Sequence, residues 1–169
     1  MLTARKITPE RLKHISEMKY QLIGDVLDNV ARADKLFREE VVALASDLTL
    51  RGILRECAYR EAQQGWFNPE VLPKHTSPND ALKELEFKIA NRKRVVEEGF
   101  SSLFSEAIRP LQDAMPGLHG ELTAMIMEAD VAFKSRRNGS WSEAKLCSAA
   151  LERKMRERLE ELTSPPHCL

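Results

Sequence analysis

The fold is decided by residues 9–48, which read PERLKHISEMKYQLIGDVLDNVARADKLFREEVVALASDL. At about 100° per residue, the apolar side chains of this stretch fall on one side of a helix. They are Leu12, Ile15, Leu22, Ile23, Val26, Val30, Ala33, Phe37, Val41, Leu44 and Leu48. Charged residues such as Lys13, Asp28 and Lys35 take the opposite side. The pattern therefore predicts a long amphipathic helix.

The start of this helix is marked by Thr8-Pro9-Glu10, which supplies a hydroxyl N-cap, a proline in the first turn and an acid beside it. The apolar stripe changes phase near its other end. Leu50, Ile53, Leu54 and Cys57 point about half a turn away from the earlier residues. Since the intervening residues are weak helix formers, we expect a kink or break between Ser46 and Gly52. A second helix would then run to about Gln64, with Gly65 as its C-cap.

Residues 65–77 contain Gly65, Pro69 and Pro73 and are predicted to form a loop between two helical halves. Ser77-Pro78-Asn79-Asp80 starts the second long helix. Its stripe is Leu82, Leu85, Ile89, Val96, Phe100, Leu103, Ala107 and Leu111. Pro110 is expected to kink this helix, because proline removes a backbone donor and crowds the preceding turn.

Two shorter helices complete the prediction, at about 118–137 and 141–163. Met127 and Val131 lie opposite the main stripe of the first, so we expect it to be buried on two faces. Asn138-Gly139 is predicted as the turn between them, and Ser140 with Glu143 forms a capping box for the last helix.

Together these elements predict an all-α fold: an elongated antiparallel bundle of about five helices, two of them long and kinked, with no sheet. We expect one domain over residues 1–169, with flexible tails at 1–7 and 164–169. A helix over 9–46 would be about 57 Å long, whereas a compact chain of this size is only about 40 Å across. The molecule should therefore be elongated and prone to self-association.

Composition argues against several functional classes. Lys plus Arg and Asp plus Glu number 26 each, so the global charge favours neither nucleic acid nor an acidic partner. The three cysteines are far apart in sequence, which favours a reducing compartment over a disulfide framework. No signal peptide or transmembrane run is recognised, so a cytoplasmic protein is expected.

Motifs for catalysis are absent from the sequence. There is no glycine-rich nucleotide loop and no HExxH, and no glutamate stands three residues before any of His14, His75, His119 or His167. His119, near Glu121, is a candidate general base, although a histidine in a turn is more often an ordinary surface residue. We predict no catalytic residue, no cofactor and no metal.

The leading functional interpretation is a non-enzymatic protein, regulatory or scaffolding, that acts through its helix faces. Its partner would be a second copy, as a homodimer, or another helical protein. The predicted partner surface comprises Trp66, Phe67, Met127 and Val131. For Trp66 and Phe67 the competing interpretation is a loop that closes one end of the bundle.

The alternative function is binding of DNA or RNA through two basic clusters at 88–94 and 134–137. Their cations are Lys88, Arg92, Lys93, Arg94, Lys134, Arg136 and Arg137. The first cluster wraps round its helix rather than forming a stripe, and cations near a helix C-terminus are also favoured by the helix dipole. Nucleic-acid binding would therefore require the fold or a dimer to bring the clusters together.

Overall fold

The computed structural model describes residues 8–64 and 77–163, with residues 61–64 described by their backbone alone. Helix accounts for 94% of the described residues, and neither range contains a strand, which confirms the all-α prediction. The predicted tails, the Gly65 cap and the loop from 65 to 76 lie outside the described residues.

Five α-helices occur within those ranges. They are α1 (Pro9–Gln64), α2 (Pro78–Ile108), α3 (Leu111–Ala114), α4 (Pro116–Lys134) and α5 (Trp141–Thr163). A single 3₁₀ turn, Arg137–Gly139, joins α4 to α5. At 1.5 Å per residue the 56 residues of α1 span about 84 Å, so the bundle is elongated.

The break predicted between Ser46 and Gly52 is wrong, because α1 is one uninterrupted helix. Thr49, a weak helix former, donates its hydroxyl to the Ala45 carbonyl at 3.1 Å and so remains within the helix. The phase change has another cause. Of the four shifted residues, Leu54 and Cys57 are buried whereas Leu50 and Ile53 are exposed, and the buried polar Asp47 takes an inward position just before them.

Neighbouring helices run antiparallel. Along α1 and α2, Arg55 pairs with Glu86 at 3.3 Å, Phe37 contacts Phe100, and Asn29 Nδ2 donates to the Ala107 carbonyl at 3.3 Å. Residue numbers thus fall along α1 as they rise along α2. The same order holds for α4 and α5, where Arg158 pairs with Glu121 and Lys154 with Glu128. The predicted antiparallel bundle is confirmed.

Four phenylalanines form the centre of the bundle. The Phe37 ring meets Phe100 edge-on at 5.1 Å and Phe133 at 5.6 Å, while Phe100 stacks on Phe133 at 4.8 Å and touches Phe104. These rings are 0–1% exposed. Edge-to-face and offset contacts at such distances are favourable, and here they join α1, α2 and α4.

Pro110 interrupts the helix that the sequence predicts to run through it. Without an N–H, Pro110 cannot bond the carbonyl of Glu106, and the Arg109 N–H takes that acceptor at 3.3 Å. The helix therefore stops at Ile108, and the short α3 starts after Pro110. The backbone stays in the right-handed helical region at Arg109 and Pro110, so the interruption is observed while the kink stays a prediction.

The predicted caps and turn are confirmed. Ser77 Oγ accepts from the Asp80 N–H at 3.1 Å and Ser140 Oγ from the Glu143 N–H at 3.5 Å. Asn138 has a φ of 58°, the left-handed conformation that asparagine tolerates better than most residues.

A buried hydrogen bond ties α1 to α5. Ser148 Oγ, which is fully buried, donates to Asp34 Oδ1 at 2.6 Å, and Arg38 pairs with the other carboxylate oxygen at 2.8 Å. We expect Ser148→Ala to lower the free energy of unfolding by about 1–2 kcal/mol, because it leaves a buried acceptor without its donor. Urea denaturation measures this loss. Ser105→Ala, at an exposed position of α2, is the control and should change stability by less than about 0.5 kcal/mol.

Candidate interaction surface

The first three turns of α1 are exposed, although Ile15 and Met18 line an open pocket together with Ala114 of α3. Every residue from 9 to 20, which we call the N-terminal extension, is exposed, and Ile23 is the first fully buried position of the stripe. The prediction that Leu12 and Ile15 lie in the core is therefore wrong. Within this extension Leu12 is 54% and Met18 57% exposed.

The position of α5 explains this exposure. α2 is antiparallel to α1 and to α4, and α4 is antiparallel to α5, so α5 is also antiparallel to α1. Ser148 of α5 lies opposite Asp34 of α1. Thr163, the last residue of α5, is fifteen positions after Ser148. Because the two helices run in opposite directions with the same rise per residue, Thr163 lies beside about residue 19 of α1. The extension begins where this covering helix stops.

A second apolar surface lies between α1 and α2. This groove, which we call the α1–α2 groove, has a volume of about 560 Å³. Its apolar wall includes Leu36, Val95 and Leu103, and its rim carries the carboxylates of Glu39, Glu40 and Glu106. Leu36 is 44% and Val95 52% exposed, so the groove is open to a partner.

The predicted partner surface is described only in part. Met127 and Val131 are 58% and 67% exposed on α4, so α4 is not buried on two faces within this chain, contrary to the prediction. Trp66 and Phe67 lie outside the described residues. The structure thus leaves Met127 and Val131 accessible, and their role in binding stays a prediction.

The first basic cluster is partly engaged within the chain. Lys88 and Arg92 both approach the buried carboxylate of Asp47, at 3.8 and 3.6 Å. Arg92 stands at the edge of the apolar stripe of α2, and from this position its side chain reaches the acid of α1. Lys93 is half-buried and Arg94 is exposed.

The second cluster is more strongly engaged. Asp130 holds the Lys134 ammonium at 2.9 Å, and this hydrogen bond raises the pKa of Lys134. Arg136 is only 5% exposed and pairs with Glu97 at 2.6 Å, while the neighbouring Arg137 is exposed. Because Glu97 is one helical turn from Lys93, the fold does bring the two clusters near each other, but Arg136 already has a carboxylate partner there.

Side chains that could bind a metal ion do not cluster in the described ranges. Across residues 8–64 and 77–163, no three His, Cys, Asp or Glu side chains are placed to hold a metal ion. His14 is exposed and His119 half-buried, whereas His75 and His167 fall outside the described residues. Burial raises the pKa of the Cys147 thiol, which keeps it protonated at neutral pH.

The exposed groove residues Leu36 and Val95 were not singled out by sequence reasoning, although a signal existed. Leu36 precedes the core residue Phe37, and Val95 precedes the core residue Val96. Two adjacent apolar residues in a helix point about 100° apart, so they cannot both pack against the same neighbouring helix. Such pairs indicate a helix with a second apolar face.

Comparison of the chain with protein-family models, with curated proteins and with solved structures gave no match. None of the described helices is both long and apolar enough to span a lipid bilayer. The exposed apolar surfaces of the bundle are therefore the features that bear on its function.

Proposed function

We propose that this chain is a non-enzymatic scaffold or regulatory protein that acts through its helix faces, and that its partner is a second copy of itself. Its free Cys57 and Cys147 suit a reducing, cytoplasmic setting. The observation that carries the proposal is the N-terminal extension, an amphipathic helix segment whose apolar side chains are left exposed by the other helices that the structure describes.

The physical reason is the cost of exposing aligned apolar side chains. Leu12, Ile15 and Met18 lie on one side of the extension and are all exposed. Isolated exposed apolar residues are ordinary, but a contiguous stripe that continues a core stripe is typical of an interface. Burial of such side chains is worth about 1.5–3 kcal/mol each, which favours association.

The nucleic-acid alternative is less well supported by the same surface. Lys88, Arg92, Lys134 and Arg136 already have carboxylate partners within the chain. A phosphate would have to displace these carboxylates, whereas a second helix can cover the extension and leave every one of these ion pairs in place.

The test is sedimentation velocity over a concentration series of the full chain. We expect the wild-type protein to sediment as a dimer and the double variant Leu12→Glu/Met18→Glu to dissociate, with the dimer Kd raised at least tenfold. Two carboxylates on the apolar side would be desolvated in the dimer but stay solvated in the monomer.

The matched control is Ser16→Glu, which adds a carboxylate to the same segment about 100° away from the centre of its apolar side. It should leave the dimer Kd within threefold of the wild-type value. A wild-type chain that remains monomeric at every concentration, or a control that dissociates as readily as the double variant, would overturn the proposal.

A further inference from the structure

We infer that two copies pair antiparallel, with the N-terminal extension of each chain lying in the α1–α2 groove of the other. This inference rests on the proposed self-association and specifies its geometry. It assigns a binding role to the extension and to the groove, and it identifies a second copy as the occupant of both.

The helical register of α1 places the two surfaces on one side. Met18 belongs to the extension and Leu36 to the groove, and they are 18 residues apart on one uninterrupted helix. Eighteen residues make five turns, so both side chains point in the same direction, about 27 Å apart along the axis. A two-fold axis near residue 27, midway between the two side chains, therefore places the N-terminal extension of each copy against the α1–α2 groove of the other copy.

The charges of the two surfaces are complementary. At about 100° per residue, Arg11 and Lys19 lie within about 50° of the centre of the apolar side of the extension. The acids of the same segment, Glu10 and Glu17, lie more than about 130° away from that centre. The side that would enter the groove is thus apolar and flanked by cations.

The groove presents the opposite sign. Glu39 and Glu40 project from α1 and Glu106 from α2 around the apolar wall. Glu106 also pairs with Arg109 at 3.1 Å, but both side chains are about 70% exposed and such a surface pair is weak. Opposite charges of this kind select partner and register more than they add affinity.

Gly99 is consistent with close approach of a second helix. It lines the groove in the middle of α2, where glycine costs about 1 kcal/mol relative to alanine. A Cβ at this position would meet no atom of the chain within 4 Å, so packing within the chain does not require glycine. The open space at Gly99 is available to an incoming side chain.

Disulfide trapping tests the arrangement directly. The variant Met18→Cys/Leu36→Cys cannot form an internal bond, because the two positions are about 27 Å apart on one helix and a disulfide needs Cα atoms within about 7 Å. We expect mild oxidation to yield a covalent dimer, with peptides linked through positions 18 and 36 identified by mass spectrometry. The control Ser16→Cys/Leu36→Cys, with the first cysteine turned away, should give no 16–36 link.

A second variant blocks the groove without harming the fold. Gly99→Leu places a side chain in the open groove and removes a helix-destabilising residue, so the melting temperature should not fall. We expect the dimer Kd to rise at least tenfold. Gly52→Leu is the matched control, since Gly52 is exposed on α1 outside the groove and a Cβ there also meets nothing within 4 Å.

The outcomes separate this inference from the proposed function. A dimer in sedimentation that shows neither an 18–36 link nor sensitivity to Gly99→Leu would overturn the docking geometry and leave self-association standing. A monomeric wild-type chain would overturn both. An 18–36 link together with a selective effect of Gly99→Leu supports the arrangement.

Discussion

Phe100→Ala is expected to lower the free energy of unfolding by about 3–5 kcal/mol, the range for removing a buried phenylalanine ring. Phe100 is completely buried and touches Phe37, Phe104 and Phe133, so its loss opens a cavity where α1, α2 and α4 meet. Since domains of this size are stable by only about 5–15 kcal/mol, this one change removes a large share of the total.

Urea or guanidinium denaturation followed by circular dichroism measures this loss. Phe87→Ala is the matched control, because Phe87 stands on the same helix but is 72% exposed. It should alter stability by no more than about 0.5 kcal/mol. Equal losses at the two positions would contradict the arrangement of the core.

The core could be predicted from the sequence because helical periodicity is a local property. Val26, Phe37 and Ile89 fall on apolar stripes and are 0–2% exposed. The caps at Ser77 and Ser140 were predictable for the same reason, since each uses a side chain and an N–H only three residues apart.

The extent to which neighbouring helices cover α1 could not be predicted in this way. Leu12 and Leu44 occupy the same stripe, yet Leu12 is 54% exposed and Leu44 fully buried. The difference depends on where α5 ends, which is a tertiary property. The break expected between Ser46 and Gly52 failed similarly. Within that stretch, Asp47 looks like a polar interruption in the sequence alone, whereas in the fold it pairs with Lys88 and Arg92 of another helix.

The candidate site was harder to predict than the fold. The groove joins residues about 60 positions apart in sequence, such as Leu36 and Val95, and only the pairing of α1 with α2 brings them together. The basic residues show the opposite error, in which a site suggested by neighbouring residues in the sequence is not formed in the fold. Adjacent cations suggested a phosphate-binding patch, whereas Arg136 is turned inward by Glu97.

Arg136 gives the second large prediction. Its guanidinium donates to Glu97 at 2.6 Å and to the Phe133 carbonyl at 2.8 Å, and it lies 4.3 Å from the centre of the Phe133 ring and 4.8 Å from that of Trp141. These interactions tie α2 to the turn between α4 and α5. We expect Arg136→Ala to lower the free energy of unfolding by about 2–4 kcal/mol, because it removes charged hydrogen bonds and cation–π interactions from a nearly buried site.

The measurement is again chemical denaturation, with Arg137→Ala as the neighbouring exposed control. Arg136→Lys should recover only part of the loss, because an ammonium keeps the charge but cannot stack on the rings as a planar guanidinium does. A double-mutant cycle with Glu97→Ala isolates the ion pair, and a coupling near zero would mean that the stability comes from the stacking alone.

The same variant also bears on the nucleic-acid alternative. If Arg136 is a structural tie, Arg136→Ala destabilises the fold and Arg137→Ala does not. If instead both cations served a phosphate, the two substitutions would leave stability nearly unchanged and weaken binding of a duplex to a similar degree, with a reduced dependence on salt. Because Arg136 is 5% exposed and its charge already faces a carboxylate, we expect the first result.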